Sequence, residues 1–480
     1  MEYTKGQQRA LEAMLSGRNV FLTGEAGTGK SEVVKKFISM MRDDGKQLLI
    51  TAPTGTAADN LKGETIHRVF GADIGVQKNN KRLTERKDVL EAADVVIIDE
   101  ISMCRFDLFE YVARRILFEN EERARDRAYR WETEKEIKEN DLQLIVLGDF
   151  YQLPPVLKPD DEKELSMTYK FDFGKGYAFK STLWNAMNFQ TVNLTEIVRQ
   201  NNRCFTMVLS EVRRADKKSI WSCIDFLMRN SSDFPMTGDD SITLVPTNKK
   251  CAEINEIEMN KLSTQERTYS AVSVGDINQG DKFADDELTL KRNCKVMITL
   301  NDPEGRCVNG TIGTVHDLLE NSVNVLTEDG RLINVGVATK EVTKPAVKEK
   351  VVKKMVDEAV CDENGTPLTD SDGNILTKPV FREVIEEKIT HEKVGSFSQL
   401  PIRVAYAITI HKSQGKTFNK INFDPYAWDD GQFYTGLSRA KKIENVCFMQ
   451  MIQPKFIKAS GDVKEFMKRL EKVSSGKIEM

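Results

Sequence analysis

The sequence predicts an α/β protein in which parallel sheets recur in two units, and two observations carry that prediction. Four apolar runs in the first half, Asn19 to Thr23, Gln47 to Thr51, Asp94 to Ile98 and Leu142 to Leu147, are short and β-branched. Such runs suit strands buried on both faces of a parallel sheet. Between the first two, Val33, Val34, Phe37, Ile38 and Met41 recur at helical spacing, which makes a βαβ unit. The second half repeats the signal more weakly. Ile242 to Pro246, Cys294 to Thr299, Ile421 to Phe423 and Val446 to Met449 read as strands of a second sheet.

Two stretches break this pattern. From about Asp317 to Gln399, Lys and Val interleave, and Asn364-Gly365 and Asp372-Gly373 each fit a tight hairpin turn. A small antiparallel β module inserted in the second α/β unit is expected there. Glu119 to Asn140 holds 14 charged residues of both signs in 22, the composition of a solvated, salt-bridged helix.

Composition bounds the function loosely. The 480 residues suggest about three domains. Hydrophobic residues at 40% and charged residues at 30% are those of a globular chain, not a disordered one. No run of 18 apolar residues and no basic-then-apolar leader occurs, so no membrane partner and a cytoplasmic location are expected. The eight cysteines form no CxxC pair, which argues against a zinc ribbon, an iron–sulfur cluster or a disulfide framework. Buried, inert thiols are expected instead. A net charge of −4 neither requires nor forbids a nucleic acid, since a local basic channel suffices.

The motifs are more specific. Gly24-Glu-Ala26-Gly27-Thr28-Gly29-Lys30-Ser31 matches GxxxxGK(S/T) in full, after a strand and before a helix. Its glycines let backbone N–H groups wrap phosphates, Lys30 reaches the β and γ phosphates of ATP, and Ser31 holds Mg²⁺. Asp99-Glu100 closes the run Val95 to Ile98. A carboxylate at that strand end is placed to hold Mg²⁺, and its neighbour to orient a water. Gln152, in Gly148-Asp149-Phe-Tyr-Gln152-Leu-Pro-Pro155, closes the next strand and is placed to sense a γ-phosphate.

These residues resemble the superfamily-one DNA helicases of the PIF (petite integration frequency) type, cousins of RecD and Dda helicases. The resemblance continues through Ala52 to Ala58, Gly63 to His67, Leu194 to Gln200, Pro246-Thr247-Asn248 and Val308-Asn309-Gly310-Thr311. It runs on through Ala407 to Gly415 and Tyr434 to Ala440, in the family's order. Phe205, Leu209 and Arg213 fit, loosely, the short signature that marks PIF proteins. Arg68 stands where the family has Ser, Val308 where Leu is common, and the charged stretch is longer than usual.

The resemblance implies two RecA-like domains, 1–190 with a wedge module at about 60–92, and 191–460 interrupted by an SH3-like module at 318–398. Residues 461–480 form a tail. It implies ATP hydrolysis in the cleft between the domains, with Arg199 and Arg439 reaching the γ-phosphate. Gln7 would read adenine, and Gln414 with Gly415 would couple nucleotide state to the DNA track. Thr54, Thr65, His67, Thr247, Asn248, Thr409 and His411 would face DNA. The implied activity is 5′ to 3′ translocation on single-stranded DNA by a monomer, unwinding forked or tailed duplexes and G-quadruplex DNA as a further candidate. A bacterial or phage origin fits so compact a helicase core. The alternative is a DNA-stimulated translocase subunit serving a nuclease or recombination partner. A nucleotide-gated binding module is disfavoured, because it needs no transition-state arginine.

Overall fold

The computed structural model describes residues 3–77, 86–128, 137–200, 202–238, 240–302, 304–327, 329–360, 368 and 376–474. Six parallel strands form the first sheet, in the order Glu64–Thr65, Leu48–Ala52, Val95–Ile98, Gln143–Leu147, Val20–Gly24, Gln190–Leu194. Alternate residues feed two separate cores. Phe21, Val96, Ile98, Leu144 and Val146 pack on one face, and Val20, Leu22, Val95, Ile97, Ile145 and Leu147 on the other. The helix Lys30–Asp43 covers the second face with Val33, Val34, Phe37 and Ile38, the spacing its sequence displays. Because Gln190–Leu194 pairs with the P-loop strand, the first domain extends at least to Leu194, past the expected limit at 190.

The second parallel sheet has four strands, Ala407–Thr409, Ser241–Val245, Lys420–Phe423 and Val446–Phe448. The expected strand at 294–299 is Lys295–Ile298, but it lies elsewhere. It pairs antiparallel with Ile312–Leu318 and Ile402–Val404, in a five-stranded sheet completed by Ser322–Thr327 and Leu332–Gly336. A four-residue apolar run does not reveal its partner's direction, and here Val296 and Ile298 face the same core as Val315, Val323 and Val325. The β module therefore begins well before 318.

From this module a long hairpin, Ala338–Ala359 against Thr377–Gln399, projects back over the first domain. Val347 and Ile389 pack on the first domain's core. Lys340 pairs with Asp59 at 2.7 Å, and Thr343 and His391 meet Glu64 at 2.8 and 2.9 Å. Arg86 adds a bond to the Pro345 carbonyl. The turn signals at Asn364-Gly365 and Asp372-Gly373 lie outside the described residues.

Two further expectations change. The charged stretch begins inside the helix Phe106–Ala128, whose Glu119 and Arg123 are buried. Arg123 binds Glu119 at 2.9 Å and the carbonyls of Leu90 and Ala93. At that turn the guanidinium satisfies backbone carbonyls and makes a packed joint, while Glu121, Arg125 and Asp126 are exposed on the same helix, as the charge pattern leads one to expect. Residues 129–136 lie outside the description. The expected tail holds the helix Gly461–Ser474. Val463, Met467 and Leu470 enter the first core, and Phe466 stacks on Phe179 at 4.2 Å. Five cysteines are buried as expected, while Cys204 is exposed. Among the described residues no helix is long and apolar enough to cross a membrane.

Candidate nucleotide cleft and DNA face

The P-loop joins the strand Val20–Gly24 to the helix Lys30–Asp43. Gly27 and Gly29 have φ of 84° and 82°, a region that a Cβ would strain. Lys30 Nζ donates to the carbonyls of Gly24 and Glu25, at 2.8 and 3.1 Å, and so braces the loop. Burial pushes the Lys30 pKa down, while Asp149 and Glu100 pull it up. Thr28 is buried and its hydroxyl donates to the Glu25 carbonyl at 2.9 Å. Gln7 completes a capping box with Thr4 and donates to the Thr28 carbonyl at 3.1 Å. Its amide thus ties the first helix to the P-loop.

One cleft gathers most of the expected site. The first domain contributes Ala26, Gly27, Gly29, Lys30, Ser31, Asp99, Glu100 and Gln152, and the second contributes Arg199, Gly415 and Arg439. Asp99 accepts the Glu100 N–H at 2.8 Å, and Glu100 sits at φ 50°. Burial pushes both carboxyls above the usual carboxylate range, and the Glu100 charge raises Asp99 further. Asp99 and Ser31 line the same cleft, and an ionised carboxylate with a hydroxyl gives hard oxygen donors of the kind a divalent cation takes. Among the described residues no cluster of three or more His, Cys, Asp or Glu could hold a metal ion.

Arg439 is buried, donates Nη2 to Gln152 Oε1 at 3.1 Å and Nε to the Thr435 carbonyl at 2.9 Å. Burial, with Arg199 beside it, pushes its pKa down to about 10. Arg199 donates to the Ser438 carbonyl at 3.2 Å. Gln152 and Arg439 are 287 residues apart and come from different domains, so the cleft is an inter-domain site by construction.

The expected DNA-facing residues fall into separate places. Thr54 and His411 line one inter-domain crevice together with Glu100 and Gln414. Thr65 lines another with Arg68, Asp281 and the hairpin. Arg68, the family's Ser position, pairs with Asp281 at 2.8 Å and so ties the helix Ile66–Phe70 to the second half of the chain. The four threonines share one local role. Thr54, Thr65, Thr247 and Thr409 accept the N–H groups of Ala57, Arg68, Lys250 and Lys412, at 3.2 to 3.4 Å. Thr54, Thr65 and Thr247 thereby cap the starts of helices, while Thr409, at the end of the strand Ala407–Thr409, braces the turn that follows it. Thr409 is itself buried, so the turn it starts, not its own side chain, is presented. Asn248 is exposed at the first turn of Asn248–Asn260. Burial lowers the pKa of both His67 and His411, which keeps the imidazoles neutral near pH 7.

Sequence reasoning missed a further set of links across the cleft. Arg213 grips the fully buried Asp149 with Nε and Nη2, at 2.9 and 2.8 Å, and lies 4.3 Å over the Tyr151 ring. Tyr434 donates to the same carboxylate at 3.3 Å and accepts the Ala26 N–H at 2.8 Å. The signal was present, since Asp149, Arg213 and Tyr434 all lie in or beside the motifs, but their pairing spans both domains.

The two parallel sheets, the P-loop and the shared cleft define a nucleotide-driven motor of two RecA-like domains. Comparison with known proteins names its kind. The PIF1-like helicase family model matches residues 3–220. ATP-dependent DNA helicase Pif1 of Psychrobacter sp. is 30% identical, over 93% of this chain and 68% of its own length. That of Bdellovibrio bacteriovorus is 29% identical, over 98% and 93%. The crystal structure of Bacteroides sp. Pif1 in complex with ADP-AlF4 superimposes with a TM-score of 0.74 at 26% identity, covering 99% of this chain and 98% of that one. Bacteroides Pif1 bound to single-stranded DNA gives 0.65 at the same identity and coverage. The chain belongs to the PIF1-like helicase family. It is an ATP-dependent DNA helicase, and DNA is its partner.

Proposed function

We propose that this helicase moves 5′ to 3′ on single-stranded DNA and opens the duplex ahead, driven by ATP hydrolysis in the inter-domain cleft. The observation that carries the reading is that Lys30, Asp99, Glu100 and Gln152 of one domain meet Arg199 and Arg439 of the other around that cleft. Lys30 answers the β and γ phosphates. Ser31 and Asp99 would hold Mg²⁺, whose charge supports the phosphate oxygens when it is bound. Glu100 orients the attacking water and takes up its proton, and Gln152 aligns Arg439. The two guanidinium groups meet the charge that spreads over the γ-phosphoryl oxygens in the transition state. Because they belong to the second domain, hydrolysis is competent only while the cleft is closed.

On this reading the strand lies over the helix starts capped by Thr54, Thr65 and Thr247 and the turn braced by Thr409, whose N–H groups suit phosphate. Polarity rests on the likeness of the ordered motifs to PIF, RecD and Dda helicases. The same proposal covers the antiparallel module as the family's SH3-like insertion, a monomeric working state, a cytoplasmic location, and forked, tailed and G-quadruplex DNA as substrates. A duplex with a 5′ single-stranded tail should be unwound with ATP, and its 3′-tailed counterpart hardly at all. Unwinding from the 3′ tail alone would reverse the polarity. ATPase stimulation by DNA with neither duplex opened would make the chain a translocase subunit.

A further inference from the structure

Tyr434 belongs to the buried helix Gln432–Leu437 and is 2% exposed. A buried phenol needs a partner for its hydroxyl, and this one has two, both on the first domain. It accepts the N–H of Ala26, the third residue of the P-loop, at 2.8 Å. It donates to Asp149 Oδ2 at 3.3 Å. Asp149 is itself fixed by the paired bonds from Arg213 of the second domain. The links therefore alternate between domains, from Ala26 to Tyr434 to Asp149 to Arg213. Nothing but a hydroxyl can accept from the amide and donate to the carboxylate at one point.

The same short helix ends at Leu437, and Arg439 follows it by two residues. Five residues after Tyr434, that arginine reaches Gln152 of the first domain at 3.1 Å. This segment thus docks on the first domain twice, by the helix's phenol on the P-loop and by the following guanidinium on Gln152. Ala26 and Gln152 of the first domain are thereby held by side chains five residues apart on one segment of the second.

We propose that Tyr434 is a positioning residue for ATP hydrolysis, carrying the conformation of the P-loop at Ala26 to the alignment of Arg439. The inference rests on the cleft reading given above. Removing the hydroxyl should lower turnover about tenfold to a hundredfold.

The test is Tyr434→Phe, which keeps the buried ring, measured as DNA-stimulated ATPase with fluorescent-nucleotide binding alongside. Turnover should fall at least about tenfold while KM for ATP and nucleotide affinity stay within about threefold, a split that general loss of packing would not give. Arg213→Lys, which keeps the charge but not the paired bonds, should lose turnover less, and the double variant should be no worse than Tyr434→Phe alone. Wild-type turnover in Tyr434→Phe, or a loss confined to nucleotide affinity, overturns the proposal. So does strict additivity in the double variant. Arg439→Ala, run in parallel, separates the two readings, because wild-type turnover there would remove the arginine from catalysis whatever the tyrosine variant does.

Discussion

The nucleotide cleft and the proposed DNA face both have to hold phosphate, and they are built from opposite materials. The cleft uses buried charge. Lys30, Asp99, Glu100 and Arg439 are held where desolvation disfavours their ionised forms, and Lys30, Asp99 and Arg439 are each aimed by one or two bonds. The DNA face uses backbone. Its threonines cap helical turns and its two histidines are kept neutral. Charge packed in a small volume gives each atom a large effect, as a transition state requires. Spread backbone contacts give each atom a small one, which suits a track that must release DNA at every step. On the proposed reading, a grip independent of sequence and rapid release follow from the same choice.

This contrast can be broken at either end, and the largest effect should come from the P-loop. Lys30→Ala should abolish ATPase, measured as phosphate release with saturating single-stranded DNA. Appreciable turnover would show that the bracing bonds to Gly24 and Glu25 are its main role. Arginine-finger contributions run to about 10³–10⁵ in rate. Arg439→Ala and Arg199→Ala should lose rate on that order, while single-strand affinity without nucleotide stays within about threefold. If affinity collapsed and the rate per bound complex survived, these arginines would belong to the DNA face instead. Glu100→Gln should bind ATP and DNA yet turn over at least about a hundredfold slower. Near-normal turnover would leave the water without its base.

On the other side of the comparison effects should be small. An N-cap is worth about 0.5–2 kcal/mol, so Thr54→Ala or Thr247→Ala should weaken single-strand affinity by roughly threefold to thirtyfold. The slope of log affinity against log salt should stay the same, since no ion is lost from the interface. A changed slope would mean that the substitution disturbs charged contacts to phosphate as well as the capped turn.

The smallest effect concerns the hairpin. The bond to Glu64 raises the His391 pKa, against burial and Arg42, which lower it. A group whose folded pKa is raised stabilises fully below its unfolded value, about 6.5, and loses that contribution as pH rises through the folded value. The hairpin should therefore sit more firmly on the first domain at pH 6 than at pH 8, read as energy transfer between dyes on the hairpin and on the helix Lys30–Asp43. His391→Ala should flatten the difference. A pH-independent signal in the unaltered chain would dismiss the contact as a switch.

How much of this could be read beforehand follows the distance over which each interaction acts. The P-loop, the strand Val95–Ile98 with its acids, and the helix Lys30–Asp43 are local patterns, and the structure reproduces them to within a residue or two. The second sheet was harder, because its neighbours Ser241–Val245 and Ala407–Thr409 flank the whole β module. Lys295–Ile298 looked like a central parallel strand because both kinds of strand demand the same apolar residues. Threonines were visible as motif members, but not as caps, since a cap is defined by the backbone geometry of the next three residues. Arg213 was visible as a signature residue and Asp149 as part of a loop. Their bond exists only once two domains close on each other. The helix Gly461–Ser474 was legible in its own spacing of Val463, Phe466, Met467 and Leu470, which the expectation of a tail overlooked.

That last helix has a mechanical consequence. The chain leaves the first domain after Leu194 and returns to it at Val463, which packs in the first core, whereas Phe456 and Ile457 still belong to the second. The second domain is therefore suspended at both of its ends. A body on one tether can swivel in any direction, but two anchorages draw a line through the joint, as the pins of a door do. Rotation about that line stays easy, and swivelling across it must tear one anchorage loose. Two anchorages, with the hairpin resting on the first domain beside them, thus favour one axis of rotation over the others.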